Sequence, residues 1–141
     1  CPAGGCLLTD PGFARRMKDL MEHGALTLDE VKLLKVGRHF RLSDDAKVIV
    51  GRMDEENAVL QSQARDGDIS FKMKDYPGPF SILRGEADDD LIKLAAQIVA
   101  HHTKYRDEDT LEVDYWRAPS SNHTTLSVRP AKSDEVEKLR I

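Results

Sequence analysis

The sequence predicts an α+β domain, a mostly antiparallel twisted sheet with helices packed on one face. Two kinds of segment predict it. Short stretches such as "DISFKMK", "LEVDYWR" and "TTLSVRP" alternate apolar and polar residues, the period of half-buried strands. Others repeat apolar residues every three to four positions, the period of amphipathic helices. Strand candidates also follow one another across short turns, which is how antiparallel neighbours are joined. With 141 residues, 40% hydrophobic and 33% charged, the chain suits one soluble domain. A chain of this size buries roughly two-thirds of its unfolded surface. No run approaches the roughly 20 apolar residues of a membrane-spanning helix, so no membrane partner is expected.

The elements follow in order. Asp10 before Pro11 reads as an N-cap with proline at the first helical position. Phe13, Met17, Leu20 and Met21 then form one stripe, and Gly24 ends the helix. Thr27 and Glu30 are spaced as a capping box for a short helix through Leu34. "VGRHFRL" and "AKVIVGR" read as strands around the turn "SDDA", and "MDEENAVLQSQA" as a helix closed by "RDGD". In "DISFKMK", Ile69, Phe71 and Met73 share one face; "YPGP" turns the chain into the strand "FSILR". The longest helix is expected over about 88–105, with Leu91, Leu94, Ala95, Ile98, His102 and Tyr105 along one face. "LEVDYWR" and "TTLSVRP" are a strand pair around "APSSNH", and Ser133 is expected to cap a last helix. The polar face of such a sheet would carry Lys72, Lys74, Trp116, Ser127 and Arg129.

Net charge is −4, which argues against a protein that is basic overall. The acids gather in "MDEEN", "GEADDD" and "SDEVE", all at expected helix N-termini, where carboxylates favour the positive end of the helix dipole. Between Lys32 and Arg52, by contrast, Lys32, Lys35, Arg38, Arg41, Lys47 and Arg52 face only Asp44 and Asp45. Clustered cations with an embedded aromatic suit RNA: Lys and Arg neutralise phosphates, and an aromatic ring stacks on unpaired bases. The plainer alternative is ordinary solvated charge that keeps sheets from pairing.

An ordered set of residues adds a family. Val50-Gly51-Arg52, Asn57 with Leu60, Asp68-Ile69, Pro77-Gly78 and Ala95-Ala96 resemble the RNA-binding domain of the NFACT family, known from ribosome-associated quality control. The resemblance covers about residues 40–130. Family positions usually held by Trp, His-Ala and Gly-Ser-His are Ser70, Lys72-Met73 and Gly78-Pro79-Phe80 here, and the Asn after Gly-Arg is Met53. The resemblance therefore implies RNA contacts through Lys72, Lys74, Tyr76 or Phe80 instead.

The opening "GGCLLTDPGFARRMKDL" resembles the junction of bacterial proteins that fuse an ATP-using PP-loop thiouridylase to such a domain. This implies residues 1–34 as a helical junction to an upstream catalytic module and 35–141 as the RNA-binding domain. ATP and Mg would belong to that PP-loop partner module, with no cofactor in this chain. The parent would be a tRNA sulfurtransferase of the cytoplasm, with this chain non-catalytic by itself. Cys1 and Cys6 have three readings: sulfur handling favoured by Arg15 and Arg16 nearby, half of a metal site with His23 and His39, or a small apolar packing residue. No metal site is expected, since C-x4-C is not a usual zinc spacing. The resulting expectation is a tRNA-binding or other structured-RNA-binding module, using Lys35, Arg38, Arg41, Lys47, Arg52, Lys72 and Lys74 on phosphates, with Tyr76 or Trp116 stacking. The alternatives are a catalytic cysteine or a structural domain that forms a homodimer through the outer sheet face.

Overall fold

A computed structural model describes residues 11–22, 33–34, 36–43, 46–74, 78–85, 88–103, 105, 107–117 and 122–141. Its elements are α1 (Pro11–Glu22), β1 (Arg38–Ser43), β2 (Ala46–Val50), α2 (Asp54–Gln63), β3 (Ile69–Met73), β4 (Ser81–Gly85), α3 (Asp89–His101), β5 (Leu111–Arg117), β6 (Thr124–Val128) and α4 (Ser133–Leu139). The six strands form one sheet in the order β1-β2-β4-β3-β5-β6, every pair antiparallel. This is the α+β class expected.

Register sorts the side chains onto two faces. Phe40 lies beside Val48, Val48 beside Leu83, and Leu83 beside Ile69, one row across four strands. That inner face, continued by Phe71, Met73, Leu111, Val113 and Val128, packs against α3 and α4. The Ala95-Ala96 pair and Val99 of α3 are fully buried, small residues that let the helix lie close to the strands. The backbone N–H of Ala131 donates to Gln97 O at 3.0 Å and ties the segment before α4 to this helix.

The outer face is divided. Ile49 and Ile82 point away from α3 and pack with Leu33, Leu60 and Phe80 in a second apolar cluster, beside a smaller one of Leu20 and Leu34. Helices α1 and α2 thus cover the β1-β2-β4 half, and a bare, mostly polar outer face, with Trp116 on it, is confined to β3-β5-β6. The cause is legible in β2: "AKVIV" is buried at every position, as a strand covered on both faces must be. Asp19 of α1 accepts from Arg41 across the expected 34/35 boundary, and Arg16 donates to Leu34 O just before it.

Smaller differences have local causes. Helix α3 stops at His101, because Thr103 folds back, its backbone N–H and its hydroxyl both donating to Ala100 O. Asp88 caps α3 by accepting the N–H of Leu91 at 2.9 Å. Ser133 is the first residue of α4, and Lys132 occupies the cap position. The expected helix over 27–34 and the turns "SDDA" and "YPGP" lie wholly or partly outside the described residues. No helix among the described residues is long and apolar enough to cross a membrane.

Candidate nucleic-acid interface

The residues of the ordered motif meet at one end of the sheet. Where β2 ends, the N–H of Gly51 donates to Phe80 O at 3.0 Å. Asn57, one turn into α2, accepts the N–H of Phe80 on Oδ1 at 3.1 Å. A Cβ on Gly51 would fall 2.0 Å from that oxygen, so a larger residue would push the Asn57 amide off Phe80. A Cβ on Gly78 would meet Met73 Cγ at 2.6 Å. Asp68 is buried, accepting Arg65 N at 2.8 Å and Arg84 Nη2 at 2.8 Å. These residues build and hold the scaffold.

Beside this knot lies a cleft of about 290 Å³, lined by Arg38, Arg52, Met53, Asn57, His102 and Thr103, among others. Arg52 is fixed by Glu56 in a bidentate pair, Nε to Oε1 at 2.9 Å and Nη2 to Oε2 at 2.7 Å. Glu56 also accepts the backbone N–H groups of Gly37 and Arg52. The Arg52 hydrogen bonds, above all, hold its carboxyl down at about 2. Arg38 has its pKa lowered, first by burial and then by repulsion from Arg52 and Arg140. His102 is pushed down to about 4, chiefly by burial, with His101, Arg38 and Arg140 adding repulsion. Its Nδ1–H donates to Ile98 O at 2.8 Å, and the ring packs on Phe40 with centroids 5.3 Å apart. Two guanidinium groups therefore share the cleft with a neutral imidazole, and Arg140 adds its repulsion to Arg38 and His102. Glu56 offsets Arg52, and Glu137 offsets Arg140 at 3.6 Å. Such a site gains from one further anion.

A model of the family described as the NFACT protein RNA binding domain matches residues 37–140. The chain belongs to that family. The NFACT domain here is 37% identical over 71 residues to the Rqc2 homolog RqcH of Bacillus subtilis (strain 168), a match covering 48% of this chain and 12% of that protein. The chain thus spans a small part of that relative's length. It also superposes on the C-terminal part of the fibronectin/fibrinogen-binding protein from Streptococcus suis with a TM-score of 0.67. That match has 22% identity and covers 89% of this chain and 58% of the other, a likeness of fold.

The structure distributes the expected RNA contacts of this NFACT domain unevenly. Arg38 and Arg52 come together at the cleft. Arg41 is turned under α1, its Nε 3.2 Å from Asp19 Oδ1. Lys47, expected on the surface, is only 4% exposed: it lies on the covered half, beneath α1. Burial first, then repulsion from Arg41, lowers its pKa to about 8. Lys72 is exposed on the bare half, next to Asp114 in register. Lys74 is exposed too, 3.6 Å from Glu112. The bare half, expected as a basic face, is consequently mixed in charge. Lys35, Tyr76, Cys1 and Cys6 lie outside the described residues. No group of three or more His, Cys, Asp or Glu among those described could hold a metal.

Trp116 is half-buried on the outer face, its ring 6.0 Å from Phe80 and stacked on His123 at 4.1 Å and 15°. Extending the β5-β6 register past Tyr115↔Thr124 sets His123 directly across from Trp116. Cross-strand pairs of this kind contribute about 0.2–1 kcal/mol, against roughly 1–3 kcal/mol for a base stacked on an aromatic ring. The sequence reading missed Arg140 and His123. Arg140 has no motif around it. His123 sits at the end of a loop whose register could be read only with β5 and β6 already aligned.

Proposed function

We propose that this domain is the RNA-holding module of a larger protein, and that it seats a backbone phosphate of structured RNA, tRNA among the candidates, between Arg38 and Arg52. The observation that carries the reading is that Arg38 and Arg52 line one cleft, with Arg140 near enough to Arg38 to repel it, in a protein of net charge −4. Like charges repel, so their gathering favours an anionic ligand, and the family match makes RNA the natural one. Lys72 and Lys74 would add weaker, screened contacts.

Anisotropy of a labelled tRNA, titrated across a salt series, tests this. Replacing Arg38 by Gln is expected to weaken binding about tenfold at low salt and to flatten the log–log salt slope by about 1. An unchanged affinity and slope would remove the cleft from the interface.

Two parent contexts remain as finer readings. The likeness to the Rqc2 homolog RqcH favours a parent that works in ribosome-associated quality control. The thiolating parent rests on the opening residues, which precede the family match, and brings with it the PP-loop module, ATP and a role for Cys1 or Cys6. Loss of tRNA thiolation on Cys6→Ser or Cys1→Ser in the full-length protein would support the second; full activity of both would dismiss the cysteine role.

A further inference from the structure

Resting on the RNA reading, we infer that the outer face of Trp116 is a stacking site for one unpaired nucleobase, and that His123 occupies it until RNA arrives. The imidazole lies nearly parallel to the indole at 4.1 Å, the arrangement a stacked base would take. Three features make His123 a replaceable occupant. Its side chain is 46% exposed, and its ionic neighbour among the described residues, Asp114 Oδ2, is 4.0 Å from Nδ1. It precedes β6 and belongs to no regular ladder pair. Asp114 already receives the Thr125 hydroxyl at 2.6 Å, so departure of the imidazole leaves that carboxylate partnered.

Trp116 itself is held from the other side. Phe80 packs against it, and the Phe80 main chain is gripped by Gly51 and Asn57 in the wall of the arginine cleft. A platform anchored through one residue to the cleft keeps a fixed relation to it. A strand whose phosphate sits at Arg38 could therefore pass over the 78–80 segment and present its next unpaired base to Trp116.

Trp116 is the sole tryptophan of the chain, so its fluorescence reports the event directly. The probes are a labelled single-stranded oligouridine and oligoadenosine and a duplex of equal charge, followed at once by anisotropy and by tryptophan emission. Binding of the single strands with quenching of Trp116, and of the duplex without it, is the expected result. His123→Ala should tighten single-strand binding by up to about fivefold and leave duplex binding unchanged, because only the stacking competitor is lost. His123→Phe, a firmer occupant, should weaken it. Anisotropy that reports single-strand binding while Trp116 emission stays constant would overturn the stacking site and leave the RNA reading intact. Equal effects of His123→Ala on single strand and duplex would also overturn it. No binding of any of the three probes would bring down the RNA reading itself, and this inference with it.

Discussion

The two halves of the outer sheet face carry cations for opposite purposes. Under α1 and α2, Arg41, Lys47 and Arg84 are enclosed with Asp19 and Asp68, where each charge must be answered from within the chain. On the bare half, Lys72 and Lys74 stand in water beside Glu112 and Asp114, where an ion pair contributes little and yields easily to another partner. The contrast teaches that a run of Lys and Arg in a sequence is not a surface. Whether a cation meets a ligand depends on what the neighbouring elements lay over it.

The largest effect should come from breaking the covered half. Asp68→Ala removes the carboxylate that pairs with the enclosed Arg84 guanidinium, which keeps its bond to Gln63 O, and is expected to cost about 3 kcal/mol in chemical denaturation. RNA affinity of the folded fraction should be unmoved. Next is acid. His39 is fully buried in the same half, and Leu33 O and Val36 O both lie 3.0 Å from its Nε2, so Nε2–H donates. Burial first, then Lys47, brings its pKa from 6.5 to about 3. Between those values the unfolded chain binds the proton and the fold does not, so stability falls as pH falls through this window. From pH 6.5 to 5 His39 should contribute a loss of about 2 kcal/mol, read as a drop in Tm; His102, lowered to about 4, acts in the same direction, so His39→Gln should remove about half of the total. Smallest is the direct contrast of two lysines. Lys47→Met should leave stability unchanged or slightly higher and RNA affinity unchanged, since it removes a charge that burial already disfavours. Lys72→Gln should keep stability within about 0.5 kcal/mol and weaken RNA binding about twofold, most visibly at low salt. A reversal, with Lys47 controlling affinity and Lys72 stability, would break the comparison.

Much of this was legible beforehand because period and punctuation are local. The alternation of "DISFKMK" and "LEVDYWR", and the acids at the starts of α2 and α3, located strands and helix ends closely. The ordered motif found the family, and the structure shows why its residues are so restricted: Gly51, Asn57 and Asp68 hold main chain and ion pairs in place. The site was less legible because it is assembled from a distance. Nothing near Lys47 in the chain announces α1 above it, and nothing near Arg140 announces Arg38. The apolar run in β2 was the available sign that one half of the outer face would be covered.

The bridge between Phe40 and Arg140, with the N–H of Ile141 donating to His39 O at 3.0 Å, has a kinetic meaning. It joins positions about as far apart along the polymer as the fold allows, and contacts of that separation are slow to form because so much loop entropy must be lost first. Arg140 therefore comes near Arg38 only late in folding, and fraying of those last residues would withdraw its charge from the cleft's edge while Arg38, Arg52 and the sheet stay in place.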